Sequence, residues 1–186
     1  MDFLSYIQNI DISCVRFIRE HIACSFLDFI MPLITLIGED GILWIVLSLV
    51  LMFFKKTRKC GFVMALSLLI GFLIVNKTIK PLVGRTRPYV LDGVPIIIDG
   101  LSDYSFPSGH TLCCFEAAVS LIVCKYKKWG YSALVCAVLV AISRVYLYVH
   151  YPTDVITGAV LGALFAFVSH WIVTKLYDIC KKSNSL

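Results

Sequence analysis

The run GFVMALSLLIGFLIVNKTIK, Gly61 to Lys80, carries no charged side chain before Lys77, and its reading decides the fold. An α-helix advances about 1.5 Å per residue, so roughly 20 predominantly apolar residues cross the hydrocarbon core of a bilayer. Similar windows recur on either side, at Ile22 to Ile37, Gly41 to Phe54, Ser108 to Cys124, Tyr131 to Val149 and Asp154 to Thr174. Together with Gly61 to Ile79 they predict an all-α, polytopic membrane bundle of about six transmembrane helices. The window Ile22 to Ile37 contains Asp28 and Pro32 and runs at once into a turn, Gly38-Glu39-Asp40-Gly41. Composition agrees with a bilayer solvent: 59% of the 186 residues are hydrophobic and 16% charged. A soluble domain of this size could not hide so much apolar surface.

The charges order the spans. Short cytoplasmic loops retain lysine and arginine, and the basic residues fall into three groups: Lys55, Lys56, Arg58 and Lys59; Lys125, Lys127 and Lys128; and Lys175, Lys181 and Lys182. Six spans place all three groups on one side and both termini with them, in the cytoplasm. The Glu39-Asp40 turn and the segment after Pro88, with Asp92, Asp99 and Asp103, then face outward. The net charge of +5 is accounted for by this topology and by an anion site, without nucleic acid.

Ahead of the first span, Phe3, Leu4, Ile7, Ile10, Val15 and Ile18 recur at roughly helical spacing among Asp2, Asp11, Arg16, Arg19 and Glu20. This pattern predicts an amphipathic helix over 1–20, lying either in the membrane interface or on the protein's own cytoplasmic face. No charged n-region followed by a short apolar run and a small-residue cleavage site opens the chain, so no cleaved secretory signal is expected. The eight cysteines contain no CxxC pair and mostly fall inside apolar windows or on the cytoplasmic side, where thiols act as small buried hydrophobes rather than metal ligands or disulfides. The expected organisation is a single membrane domain, 1–186: the amphipathic helix, a six-span core over 22–174 and a cytoplasmic tail over 175–186.

Chemistry gathers at the outward ends of the predicted spans. Lys80 closes the third, His110 opens the fourth, Arg144 lies near the end of the fifth, and His150 and Asp154 precede and open the sixth. A phosphate ester must be gripped from several directions, and arginine does this with a planar fork where lysine offers a point charge. Lys80, Arg87 and Arg144 are candidates, with Pro88 stiffening the loop that presents Arg87. Taken singly, Lys80 could merely snorkel and Arg85 and Arg87 could be solvated loop charges. Arg144 is less easily explained so, because a charge near a membrane helix end is costly without a partner. In Phe106-Pro107-Ser108-Gly109-His110, Ser108 is a helix N-cap, and the free N–H groups beyond it, with the helix dipole, form an anion site that Gly109 leaves open to close approach. Capping alone does not require His110, placed to protonate a departing oxygen. In His150-Tyr151-Pro152-Thr153-Asp154, proline at the first helical position and a carboxylate in the first turn are good helix-starting chemistry. The functional reading adds that Asp154 accepts the N–H of His150 and leaves its other nitrogen free to attack phosphorus. His21 and His170 lack such surroundings and read as structural or interfacial.

These residues resemble the type 2 phosphatidic acid phosphatases, which are related to vanadium-dependent haloperoxidases. The signature K-x6-R-P, P-S-G-H and S-R-x5-H-x3-D is matched in order by Lys80 to Pro88, Pro107 to His110 and Ser143 to Asp154. The resemblance implies that His150 is the nucleophile forming a phosphohistidine, Asp154 its orienting partner and His110 the acid for the leaving group. It implies phosphate binding by Lys80, Arg87, Arg144, Ser108 and Gly109. It also implies hydrolysis without a metal or other cofactor, in keeping with a sequence that lacks clustered outward carboxylates for magnesium. The expected partner is a lipid phosphate whose tail stays in the bilayer, in a bacterial-type cell membrane with the site on the extracytoplasmic face. Undecaprenyl diphosphate comes first as substrate by resemblance to small bacterial members, then phosphatidylglycerophosphate and phosphatidic acid. Two further classes are an anionic-lipid binding or transport protein and a vanadate-loaded oxidase. Outside the signature, Glu116 and Lys77 are expected to form an ion pair between the third and fourth spans, or Glu116 to help bind a lipid head group.

Overall fold

The structure, a computed structural model, describes residues 3–183, with side chains from Ser5 onward. Asp2 and the side chains of Phe3 and Leu4 in the expected amphipathic face, and residues 184–186 of the expected tail, lie outside that description. The described chain is helical without strands: α1 Phe3–His21, α2 Ser25–Thr35, a tight turn Leu36–Gly41, α3 Ile42–Phe53, α4 Arg58–Gly71, a π-helical stretch Phe72–Ile79, α5 Lys80–Val83, α6 Pro88–Asp92, α7 Gly109–Val123, α8 Lys127–Tyr146 and α9 Pro152–Ser183. Four stretches are long and apolar enough to cross a bilayer, Ser25–Phe53, Arg58–Asp92, Lys127–Tyr146 and Pro152–Ser183, and Gly109–Val123 is a shorter apolar helix. The outward-facing leucines, phenylalanines and valines of these helices are the lipid surface of a membrane protein.

Every apolar window expected from the sequence is helical, but the first does not run along the bundle. The Tyr146 hydroxyl donates to Asp28 Oδ1 at 2.7 Å, and Arg144 Nη1 donates to Thr35 Oγ1 at 2.8 Å. Asp28 and Thr35 are about 10 Å apart along α2 at 1.5 Å per residue, whereas Arg144 and Tyr146 share one turn of α8. Helix α2 therefore lies across the end of α8. The physical reason is Asp28, whose carboxylate would be costly at mid-membrane and finds a hydroxyl at the bundle's end. At Glu39 (ψ 118°), Asp40 (φ 47°) and Gly41 (φ 65°) the backbone leaves helical geometry, and α3 then descends into the bundle. Among the described residues the passes are α3, α4 to α5, α7, α8 and α9.

Helix α1 is formed as expected, but its buried side is not quite the expected one: Val15 is buried and Ile7 and Ile18 partly so, whereas Ile10 is exposed and Asp11 and Ile12 are buried instead. It packs on Val145, Tyr148 and Tyr151, at the same end as His150. The three basic segments meet at the other end, where the Tyr126 hydroxyl donates to the Lys56 carbonyl at 2.9 Å and Lys59 Nζ lies 6.0 Å from the Tyr177 ring. The two ends of the described chain are thus at opposite ends of the bundle. Contrary to the expected arrangement, α1 does not share the basic end, and among the described residues α1 and the far end of α9 are not on one side. The odd number of passes is the cause.

Helix α7 is the central element. Cys114, Ala117 and Ala118 are fully buried in a core with Trp44, Met64 and Ala137 from α3, α4 and α8. Its contact with α9 depends on Gly158 and Gly162, a small-x3-small pair of the kind that lets membrane helices approach closely. A Cβ at Gly158 would lie 2.7 Å from the Ser108 carbonyl oxygen, and one at Gly162 would lie 2.6 Å from that of Leu112. Cys60, Cys113 and Cys114 are buried and all eight cysteines are free thiols, with Cys114 Sγ accepting from Trp44 Nε1 at 3.2 Å.

Candidate active site

Lys80 stands at the end of a long helix that is deformed just before it. Pro81 has no N–H and its ring crowds the carbonyl four residues back, and the preceding Phe72–Ile79 is widened to π geometry. Such insertions concentrate at functional sites. Gly84, at φ 61°, takes the left-handed conformation that ends α5. Three residues later the extended backbone of Arg87, set by Pro88, turns its guanidinium into the bundle. Arg87 is 3% exposed. Its Nη1 donates to the Val149 carbonyl at 2.8 Å, its Nε to the Asp103 carbonyl at 2.9 Å and its Nη2 to Asp103 Oδ1 at 2.5 Å. The other Asp103 oxygen pairs with Lys80 Nζ. Although burial raises it, these two cations draw the Asp103 carboxyl down from 3.8 to about 2.

Arg144 comes from the last turn of α8 and is 1% exposed. Nη1 is spent on Thr35, while Nε and Nη2 have no partner. A buried guanidinium with two idle donors is poised for an anion. Lys80, Arg87 and Arg144 all line one cavity of about 730 Å³, together with His110, His150 and Gly109. The cavity continues between α3 and α4 past Ile45, Leu49, Leu68 and Leu69, with Ser48 and Glu116 also in its wall, so a charged upper part opens onto a mostly apolar lower one.

His150 is fully buried at the head of this cavity. Its Nδ1 lies 3.4 Å from Asp154 Oδ2, and its Nε2 lies 3.2 Å from Arg87 Nη1. Asp154 Oδ2 also accepts from Ser105 Oγ at 2.5 Å and from the Tyr151 N–H at 3.0 Å. Burial, and then Arg87, Arg144 and Lys80, push the His150 pKa well below 6.5 and keep the imidazole neutral. The second histidine, His110, is in the first turn of α7, with its Nε2 3.2 Å from Glu39 Oε2. Ser108 caps that helix, accepting from the Thr111 N–H at 3.4 Å and the Thr111 hydroxyl at 3.0 Å. A Cβ on Gly109 would stand 4.0 Å from Lys80 Nζ, so the helix N-terminus and the lysine face the same space.

All eight residues singled out in the sequence are therefore brought to one end of the bundle: six of them line the cavity, and Ser108 caps the helix whose N-terminus faces it. Asp154 stands behind His150. Several polar partners escaped the sequence reading. Asp103 appeared only as an outward charge, Glu39 only as part of a turn, and Ser105 and Thr35 not at all. Arg85, read from the sequence only as a solvated loop charge, is held against Asp154 Oδ1 at 2.5 Å. Its position two residues before Arg87 was the available signal. The expected Glu116–Lys77 pair is absent: Glu116 Oε1 accepts from Ser67 Oγ at 3.3 Å, whereas Lys77 is exposed with Nζ 5.1 Å over the Phe72 ring. Lys77 is on the lipid-facing side of the widened stretch, and the space opposite Glu116 is made by Gly71, where a Cβ would lie 2.3 Å from its Oε1. His21 stacks on Phe17 with centroids 4.5 Å apart, away from the cavity. Among the described residues no group of three or more His, Cys, Asp or Glu side chains could hold a metal ion.

Chemically, the arrangement offers three cations and a helix N-terminus to a tetrahedral oxyanion, a neutral imidazole backed by a carboxylate, and a second imidazole at the same cavity. Comparison with known proteins gives the same direction. The model of the PAP2 superfamily matches residues 56–178. An undecaprenyl-diphosphatase of Sulfolobus acidocaldarius is 33% identical over 144 residues, covering 77% of this chain and 69% of the relative. A protein of Bacillus licheniformis named bacitracin transport permease protein is 33% identical over 173 residues, covering 91% and 83%. Among solved structures, the PAP2-type phosphatidylglycerolphosphate phosphatase of Bacillus subtilis superposes with a TM-score of 0.74 at 33% identity, covering 91% of this chain and 87% of that one.

Proposed function

This chain belongs to the PAP2 superfamily, and we propose that, as a membrane lipid phosphatase, it works through a phosphohistidine on His150. The observation that carries this reading is the buried imidazole between Asp154, 3.4 Å from Nδ1, and Arg87, 3.2 Å from Nε2, at the head of a three-cation cavity. With Nδ1–H donating to Asp154, the lone pair on Nε2 attacks phosphorus. The N–P bond forms as the ester or anhydride P–O bond breaks, and His110 gives its proton to the departing oxygen. Water then attacks the phosphoenzyme, passing a proton back to His110 as the N–P bond breaks. Lys80, Arg87, Arg144 and the first amides of α7, beginning at Gly109 beyond the Ser108 cap, bind the equatorial oxygens and stabilise their charge.

The lipid tail runs down the apolar part of the cavity between α3 and α4, with the head held at the cations. Undecaprenyl diphosphate, yielding undecaprenyl phosphate, is the substrate we favour, on the likeness to the Sulfolobus acidocaldarius diphosphatase. Phosphatidylglycerophosphate is the alternative, on the likeness to the Bacillus subtilis phosphatase, and phosphatidic acid follows. Because the basic segments lie at the opposite end, the site faces the extracytoplasmic side of the cell membrane, with α1 on that side and the α9 end in the cytoplasm. A transport reading is favoured only by the name of the Bacillus licheniformis relative, and it leaves the His150–Asp154 pair without a task.

The test is phosphate release from undecaprenyl diphosphate, phosphatidylglycerophosphate and phosphatidic acid in detergent with EDTA, for wild type and His150→Ala. Release that survives EDTA and is lost in the variant is expected. Folded wild-type protein releasing phosphate from none of the three would favour transport.

A further inference from the structure

Arg85 occupies an unspecified position of the first signature block, yet all five of its N–H donors are directed to partners on two helices, α1 and α9. Nη1 donates to Asp154 Oδ1 at 2.5 Å and to Thr153 Oγ1 at 2.8 Å. Nη2 donates to Asp11 Oδ2 at 2.6 Å and Gln8 Oε1 at 2.5 Å, and Nε also donates to Gln8 Oε1 at 3.1 Å. The guanidinium carbon lies 3.8 Å from the centroid of the Tyr151 ring. Asp11, 2% exposed, reaches the same place independently, accepting from the Thr153 N–H at 3.2 Å and from the Thr153 hydroxyl. A solvated loop cation would not be enclosed in this way, since fixing a long side chain costs rotamer entropy that a surface ion pair barely offsets.

The division of the Asp154 carboxylate gives the arrangement its meaning. Oδ2 faces His150 and is also engaged by Ser105 and the Tyr151 amide, whereas Oδ1, pointing away from the histidine, is taken by Arg85. Held at both oxygens, the carboxylate cannot rotate, and the imidazole it supports keeps one orientation. We propose that Arg85 is a positioning residue for the His150–Asp154 pair, and that α1, through Gln8 and Asp11, is the brace that holds Arg85 in place. The N-terminal helix is thereby a working part of the active site as well as an interfacial element. The proposal rests on the reading of His150 as nucleophile.

Arg85 has a second, electrostatic effect. The charged and titratable groups around His150 are Arg87 and Lys80 from the α5–α6 region, Arg144 from α8, His110 from α7, Asp103 from the preceding loop and Asp154 from α9, with Asp11 of α1 behind Arg85. Arg85 partly cancels Asp154. Without it the carboxylate would favour an imidazolium, and the nucleophile would be lost to protonation at higher pH.

The experiment compares wild type, R85Q, R85K, D11N and H150A, with phosphatidic acid and undecaprenyl diphosphate as probes in detergent, across pH 5–8. For R85Q, kcat is expected to fall about 100-fold with KM within about threefold, and the acid limb of kcat to move up by about one pH unit. R85K, which keeps the charge but not the fork, should restore the limb and part of kcat. D11N should lower kcat severalfold at unchanged KM. An R85Q protein whose kcat per folded molecule and acid limb match wild type, alongside an inactive H150A, overturns the Arg85 assignment alone. Persistent release by H150A overturns the nucleophile reading and this proposal with it. Should R85Q not fold, D11N decides: wild-type kcat in D11N overturns the role of α1, and a severalfold loss at unchanged KM upholds it.

Discussion

Replacing Arg144 by methionine should make the protein more stable and inactive. The guanidinium is 1% exposed, its Nε and Nη2 are unpartnered, and its Nη1 has only the Thr35 hydroxyl at 2.8 Å. The nearby carboxylates are engaged elsewhere, Asp103 by Lys80 and Arg87 and Glu39 by His110. Burying an uncompensated ion costs several kcal/mol, whereas the Thr35 bond returns about 1.5–3 kcal/mol. Methionine fills a similar volume on a helix without either, so a net gain of about 1–3 kcal/mol is expected. For a chain of this size that is a Tm rise of roughly 2–10 °C. The same change removes two charge-assisted bonds to the bound phosphate at about 1.5–3 kcal/mol each, lowering kcat/KM by about 10² to 10⁴. Thermal unfolding in detergent, with and without vanadate, reads both effects. Wild type should be stabilised by about 2.7 kcal/mol at a hundredfold excess of vanadate over its Kd, and the variant should not respond. A ligand-free variant that melts below wild type would refute the view that Arg144 is held at a cost in stability for the sake of the anion.

Stability should fall on acidification from neutral pH. Native His150 stays neutral while the unfolded chain takes up its proton near 6.5, so the unfolded state binds more protons and loses less by acid. Asp103, drawn from 3.8 to about 2, adds a second loss of the same sign below pH 4. Chemical denaturation at pH 7, 6 and 5 should show the first decline, and a flat profile would count against the buried neutral imidazole. Asp103→Asn removes the carboxylate that shares Lys80 and Arg87. Because its side chain is half exposed, vanadate inhibition should tighten only about three- to tenfold, and weaker inhibition would be the contrary result. Gly158→Ala places a methyl 2.7 Å from the Ser108 carbonyl oxygen, so α9 must retreat from the cap of α7. A loss of about 1–3 kcal/mol is expected, and a wild-type melting curve would show that the two helices are not in that contact.

Much of this protein was legible from one dimension. The length and hydrophobicity of its windows decide for membrane helices because backbone groups in lipid must satisfy one another within a helix. The order and spacing of Lys80, Arg87, Ser108, His110, Arg144, His150 and Asp154 match the family's signature, and the fold brings these residues to one end of the bundle. Hydropathy could not say whether Ile22 to Ile37 crosses the bundle. Its path depends on Tyr146 and Arg144, more than a hundred residues away, donating to the polar groups of α2. The same limit hid the partner of Glu116, since a one-dimensional reading pairs opposite charges while the fold turned Lys77 to lipid and left Ser67. It also hid Asp103 and Arg85. The sequence by itself determined the solvent in which the chain folds and the chemical groups it carries, for these follow from residue type and local period. Which end of the bundle α1 joins, which carboxylate answers which cation and which donors stay idle were decided only by tertiary structure, because such partnerships depend on distances between segments that local periodicity does not encode.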